Sequence, residues 1–188
     1  MSEKQYRVAV VGGAGMWGRN YLQAFAQRSD CSVVLVDPSE RAREFAGHFG
    51  VGEVLDTLEA LLKRETPDIV ANILPVRLSR DAVIACAEAG VKAVSCEKPM
   101  AVELSAADEM VRVCQEHGTA FGCATAYWEV PFLQECVQWL REGHIGQLKA
   151  VSIPGGLPRE VSGAGCVQLT QMRLVTGMEV EWVEGWVL

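Results

Sequence analysis

The sequence predicts an α/β fold, a doubly wound parallel sheet, followed by the beginning of an α+β unit. Three observations predict it. From Tyr6 to Ala124, short apolar runs alternate with amphipathic segments of about 10–15 residues, the spacing of strands joined by helical crossovers. Several of the helical segments stop on a glycine. After Ala124 the alternation gives way to isolated segments around a glycine- and proline-rich stretch, PGGLPREVSGAG, so the predicted boundary divides residues 1–124 from 125–188.

Residues 6–11 (YRVAVV) form the first strand and 17–27 the helix after it. Residues 32–36 (SVVLV) are continuously apolar, which suits a strand covered on both faces of the sheet. A helix over 39–49 takes Ser39 as its N-cap and Gly50 as its stop. A short helix over 58–64 is broken by Pro67, and 68–74 (DIVANIL) is again a buried strand. The pattern repeats with a helix over 79–89 closed by Gly90, a strand over 93–96, a helix over 105–117 closed by Gly118, and a strand over 120–124. Parallel strands connected this way need right-handed crossovers. Beyond them lie a helix over 132–142, a strand over 148–153, a helix over 168–175 and a strand-like end, VEWVEGWVL, over 180–188.

Composition narrows the partners. The formal net charge is −7, from 17 Lys and Arg against 24 Asp and Glu, without basic blocks, which argues against nucleic acid and anionic membranes. No run approaches the roughly 20 apolar residues of a membrane span, and residues 1–7 lack the layout of a secretion signal, so the expected location is the cytoplasm. Seven cysteines (31, 86, 96, 114, 123, 136 and 166) form no Cys-x-x-Cys pair; they read as reduced, mostly buried small hydrophobes, and no metal site is expected. His48, His117 and His144 read as surface residues at loop or helix ends.

The first strand runs directly into Gly12-Gly13-Ala14-Gly15-Met16-Trp17-Gly18, in which Gly13, Gly15 and Gly18 fit the dinucleotide fingerprint G-x-G-x-x-G. The fingerprint gives Gly13 the tight turn, Gly15 the close approach of backbone to a pyrophosphate, and Gly18 the close packing of helix on strand. The helix start then offers its N–H groups to the phosphates. Asp37 closes the second strand 19 residues after Gly18, where a carboxylate meets ribose hydroxyls. The sheet is therefore expected to be a Rossmann sheet binding NAD. Asp37 repels a 2′-phosphate, whereas Ser39 and Arg41 nearby soften that preference and leave NADP open.

A second constellation ends the strand over 93–96: Glu97, Lys98 and Pro99 follow Cys96 in direct succession. In a parallel sheet, ligands bind beyond the carboxyl ends of the strands, so these charges either face a cofactor crevice or make an exposed ion pair in water. Pro99 suits a tight turn, cis or trans.

The stretches VGGAGMWG, VDPSERA, DIVANILP, CEKPMA and LREGHIGQLKAV together resemble the glucose-fructose oxidoreductase, inositol dehydrogenase and MocA family of NAD(P)-dependent oxidoreductases. Glu97-Lys98-Pro99, matching that family's EKP signature, is the most specific part. The resemblance implies hydride transfer between a nicotinamide and a secondary alcohol or ketone of a polyol, sugar or related small metabolite. It implies Lys98 as the catalytic residue, bonded to the reacting oxygen, with Glu97 near the nicotinamide ribose. The expected cofactor-binding set is Gly13, Gly15, Met16, Trp17, Gly18, Asp37, Leu74, Pro75 and Glu97. It further implies that 125–188 opens a substrate and oligomerisation domain, that the apolar end is covered by further chain or a second copy, and that the protein is a homo-oligomer.

The chain also departs from the family's pattern. Ser79 stands near the place of a histidine, and residues 162–177, where the family carries an Asp and a His, contain neither. Gly163 and either Val167 or Gln168 occupy those places, and glutamine cannot take a proton near neutral pH as imidazole does. Tyr127, Trp128 and Glu129 fall at the family's crossing between domains, as pocket lining or as packing. A dinucleotide-binding module without turnover, serving as a sensor or subunit, is therefore the alternative expectation.

Overall fold

Six parallel strands build one sheet in the order β3-β2-β1-β4-β5-β6. They are β1 (Tyr6–Val11), β2 (Cys31–Val36), β3 (Val54–Leu55), β4 (Ile69–Asn72), β5 (Ala93–Cys96) and β6 (Ala120–Cys123). The helices between them are α1 (Gly18–Ala26), α2 (Arg41–His48), α3 (Leu58–Arg64), α4 (Val76–Glu88) and α5 (Leu104–Glu116). The computed structural model describes residues 6–123, 130–153 and 165–184. The chain divides into two compact units, 1–124 and 125–188.

Strand alternation explains why the sheet is covered twice. Val10 and Leu35 point to one face, where Leu22, Ala42, Ala46 and Val51 pack on them. Ala9, Val11, Val34 and Val36 point to the other, joined by Val70, Val83, Val94, Cys96 and Met110. Both members of each alternating pair are therefore apolar, and the runs read as unbroken hydrophobic segments. Because β1 pairs with both β2 and β4, the winding reverses beside it and opens a crevice at the carboxyl ends of these strands.

The helix stops at Gly50, Gly90 and Gly118 are left-handed, as their sequence positions require. Three starts and strands differ from expectation. Ser39 does not cap α2: the helix begins at Arg41 after Glu40 without a side-chain cap, and the Ser39 N–H is bonded to Asp37. Helix α4 begins at Val76, not Ser79, because Pro75 turns the chain directly into it and its first turn carries exposed Arg77 and Leu78, which give no apolar period. Strand β3 is only two residues, paired as Leu35 with Val54 and Val36 with Leu55, too short to show alternation.

The second unit contains α6 (Pro131–Arg141) and α7 (Cys166–Thr176), packed on each other. The strand expected over 148–153 is not formed, nor is the one beginning at Val180 over its described part, 180–184. A strand exists through ladder bonds to a neighbour, and no described residue supplies one to either segment. Met178, Val180, Trp182 and Val183 are exposed. Residues 185–188, Tyr127, Trp128, Glu129 and Gly163 lie outside the described residues.

At the amino end of the sheet, Arg7 gathers three acids. Its backbone N–H donates to Asp68 Oδ2 at 2.8 Å, its Nη2 to Glu65 Oε1 at 2.7 Å, and its Nη2 also to Glu53. Arg7, aided by Arg64, holds the Glu65 carboxyl at about 2, against an ordinary 4.5. A folded-state value below the unfolded one gives stability that is present above about pH 4.5 and is lost as pH falls toward 2. Arg7→Gln is expected to cost about 1–2 kcal/mol at pH 7. Thermal melts against pH should show the wild-type and variant curves converging as pH falls through about 2, because the carboxyl that distinguishes them then becomes protonated.

Candidate functional site

The loop between β1 and α1 is set by what cannot fit in it. Gly12 closes the β1 ladder through its N–H to Val36 O at 2.8 Å, then turns with φ +78°; a Cβ there would lie 2.5 Å from Ile73 O. The left-handed turn therefore belongs to Gly12, whereas the fingerprint assigned it to Gly13. At Gly13 a Cβ would lie 2.4 Å from Leu35 Cδ1, so that side chain would have to shift to admit it. At Gly18 a Cβ would come within 2.2 Å of Gly12 O and 2.6 Å of Gly13 Cα, so α1 packs backbone to backbone on the loop. Gly15, Met16 and Trp17 form the exposed rim, and no side chain caps α1. The start of that helix is open to an anion.

Asp37, at the end of β2, is only 9% exposed. Its Oδ2 accepts the Ala14 N–H at 3.0 Å and its Oδ1 the Ser39 N–H at 2.9 Å. The carboxylate thus ties β2 to the glycine loop, and each oxygen keeps a lone pair for a further donor such as a ribose hydroxyl. Leu74 stands beside Gly12, its Cδ2 3.5 Å from where a Cβ would lie, and Pro75 precedes α4 on the same rim.

At the next strand end, every polar group of Glu97 is held. Its N–H donates to Asn72 O at 3.1 Å, its carbonyl accepts Cys123 Sγ at 3.7 Å, its Oε1 accepts the Tyr21 hydroxyl at 2.6 Å, and its Oε2 receives the Lys98 N–H at 3.3 Å. The Lys98–Pro99 peptide is cis. Lys98 is half-buried, and its ammonium makes no ion pair among the described residues, so the solvated Glu97–Lys98 pair weighed from the sequence does not form.

Sequence reasoning missed Gly12, Tyr21 and Asn72. Asn72 ends β4 at 1% exposure, and neither side-chain polar atom has a hydrogen-bond partner among the described residues; the same holds for the hydroxyl of Ser79, also 1% exposed. Asn72 could have been found as an amide breaking an apolar run. Tyr21 left no such signal, since its partner lies 76 positions away. Val167 and Gln168 lie on α7 in the second unit. Among the described residues no cluster of His, Cys, Asp and Glu could hold a metal ion, and no helix is long and apolar enough to cross a membrane.

Residues 6–125 match the model of the glucose-fructose oxidoreductase, inositol dehydrogenase and MocA proteins, described as an oxidoreductase family with an NAD-binding Rossmann fold. The chain belongs to this family. This family member is 32% identical over 145 residues to the D-apiose dehydrogenase of Paraburkholderia graminis, a match covering 76% of this chain and 38% of that protein. It is 35% identical over 109 residues to the 2,7-anhydro-N-acetylneuraminate hydratase of Mediterraneibacter gnavus, covering 58% and 29%. Among solved structures, a 3-ketoreductase from Actinomadura kijaniata in complex with NADP matches with TM-score 0.68 at 28% identity, over 76% of this chain and 45% of that one. An oxidoreductase from Agrobacterium radiobacter in complex with NAD+, L-tartaric acid and magnesium shares the fold, with TM-score 0.76 at 21% identity over 92% and 55%. The chain spans 29–50% of the length of the curated relatives it matches.

Gly18→Ala is expected to destabilise the Rossmann unit by about 1–3 kcal/mol, because backbone rather than a flexible side chain must move. Gly15→Ala meets only Gly12 O, at 3.3 Å, and should cost less. Urea unfolding midpoints of the two variants give the comparison.

Proposed function

We propose that this chain carries the cofactor-binding half, and the chemical lysine, of an NAD(P)-dependent oxidoreductase acting on a secondary alcohol or ketone of a polyol, sugar or related small metabolite. The observation that carries this reading is the free Lys98 ammonium beside a fully bonded Glu97, joined through Tyr21 to the helix that follows the glycine loop. A surface ion pair would have no need of such an arrangement.

The residues fit a dinucleotide. The backbone of Gly13, Gly15, Met16, Trp17 and Gly18 cradles the phosphates, because Gly12 and Gly18 bring the loop and helix start close and leave no Cβ in the way. Asp37 receives the ribose hydroxyls with its remaining lone pairs and disfavours a 2′-phosphate, which makes NAD the preferred form. Leu74 and Pro75 complete the rim, and Glu97 faces the second ribose. Bound there, the nicotinamide supplies or accepts the hydride. Lys98 holds the substrate oxygen, stabilises developing negative charge on it and passes its proton to or from solvent. The names of the relatives, a D-apiose dehydrogenase and a 3-ketoreductase among them, support a carbohydrate-like substrate.

A second reading, a dinucleotide-binding module without turnover, is favoured by one observation: residues 162–177 contain neither Asp nor His to share proton handling with Lys98. The two readings agree on the cofactor and differ on the lysine.

NADH fluorescence titration tests the shared part. Asp37→Ala is expected to weaken NADH binding about ten-fold, the worth of roughly one charge-assisted hydrogen bond, and NADPH binding less. Absence of binding of either nucleotide to the folded wild type would overturn both readings.

A screen of polyols and sugars following NADH absorbance separates them. In any form with turnover, Lys98→Ala should lower kcat about 10²–10⁴-fold, the scale of general acid-base catalysis, with cofactor affinity nearly unchanged. Turnover untouched by this substitution would remove the lysine from the mechanism.

A further inference from the structure

We propose that Tyr21 is the positioning residue of the Glu97–Lys98 pair: its phenol holds the Glu97 carboxylate away from the Lys98 ammonium and so leaves that ammonium free for a substrate oxygen. The last clause rests on the function proposed above; the hold of Tyr21 on Glu97 does not.

Neighbouring residues of opposite charge on a half-buried strand end attract each other, and the four-carbon stem of lysine lets its ammonium fold back onto a preceding carboxylate. The structure shows a different outcome. Glu97 Oε1 accepts the Tyr21 hydroxyl at 2.6 Å, the length of a charge-assisted O–H···O⁻ bond. Its Oε2 contacts only the Lys98 main-chain N–H, at 3.3 Å. Lys98 Nζ reaches neither oxygen.

Tyr21 can do this because of where α1 starts. Gly18 packs on Gly12 and Gly13 and fixes the first turn of α1; Tyr21, three residues on, packs against the apolar layer of Val10, Leu22 and Leu35. Its ring is thereby anchored while its hydroxyl reaches the end of β5. Burial, and after it the Glu97 carboxylate, push the phenol above its ordinary value of 10, so the group is a protonated donor at neutral pH. A donor that is neutral at neutral pH and never becomes a cation suits this task. A lysine or arginine there would pair with Glu97 equally well but would add a second positive charge next to Lys98.

The remaining contacts fix the main chain on which both side chains stand. The Glu97 N–H is taken by Asn72 O at 3.1 Å and its carbonyl by Cys123 Sγ at 3.7 Å. The backbone at Glu97 cannot easily rotate, and the choice of partner for its carboxylate lies between the phenol and the ammonium.

Tyr21→Phe removes one oxygen and keeps the packed ring. The test measures site-resolved acetylation of Lys98 by an N-hydroxysuccinimide acetate ester, read by mass spectrometry of the full chain, with exposed Lys92 as internal reference. In Tyr21→Phe the released carboxylate folds onto the ammonium, and Lys98 should react at least five-fold more slowly relative to Lys92. Adding Glu97→Gln to Tyr21→Phe should restore the rate to within two-fold of wild type, since a neutral amide no longer draws the ammonium. An unchanged Lys98 rate in Tyr21→Phe, or a slowed rate that Glu97→Gln does not restore, overturns the proposal. Should Tyr21→Phe fail to fold, Glu97→Gln alone decides: Tyr21 must then ionise at lower pH than in the wild type in an ultraviolet absorbance titration, and an unchanged titration overturns the proposal. NADH binding by the wild type is measured alongside; its absence overturns the assigned function, while the acetylation rates still decide the role of Tyr21.

Discussion

The structure depends on one close approach, that of Gly18 to the backbone of Gly12 and Gly13. A single added carbon at Gly18 would stand 2.2 Å from Gly12 O. That contact fixes the direction of α1 relative to β1, and three consequences follow from it. The helix start faces the crevice at the strand ends, Ala14 comes within reach of Asp37, and Tyr21 comes within reach of Glu97. Steric exclusion, the weakest form of chemistry a residue can offer, thus arranges two carboxylates that are far apart in the chain.

The electrostatics of the strand ends follow from those placements. The protein is acidic overall, and a site for an anionic dinucleotide at the end of a sheet carrying Asp37 and Glu97 would repel its ligand if both acids were bare. Neither is. Asp37 accepts two backbone N–H groups, and Glu97 accepts a phenol and a backbone N–H. Their charge is drawn toward neutral donors of the glycine loop, of the turn after β2, of α1 and of the β5 end. The ammonium of Lys98 makes no ion pair among the described residues.

Membership of an oxidoreductase family gives this arrangement its setting, and the differences from that family's pattern locate where this chain is individual. Ser79, near the place that the resemblance gives to a histidine, is buried in α4, and Asn72 is buried at the end of β4. Both have side-chain polar atoms without partners among the described residues, a costly condition inside an otherwise apolar layer. On α7, Val167 and Gln168 lie near the place that the resemblance gives to a histidine, and neither is ionisable. The glycine loop thus coexists with unpartnered polar groups nearby in the same unit.

The sequence by itself determined the alternation of strands and helices, because apolar runs of four to six residues set between amphipathic segments are too short for buried helices and suit strands covered on both faces; Ala93–Cys96 and Tyr6–Val11 were legible to the residue. It also determined the glycine loop and Asp37, whose spacing is local. Tertiary structure alone decided the rest. β3 exists only because β2 offers it two residues of ladder, whereas 148–153 has no such neighbour among the described residues and forms no strand. The left-handed turn fell to Gly12 rather than Gly13 because Ile73 and Leu35, from two other strand ends, crowd these positions differently. Tyr21 and Glu97 met because one helix was pressed onto one loop; periodicity reports which face a residue lies on, and a hydrogen bond between residues 76 apart depends on how two faces are brought together.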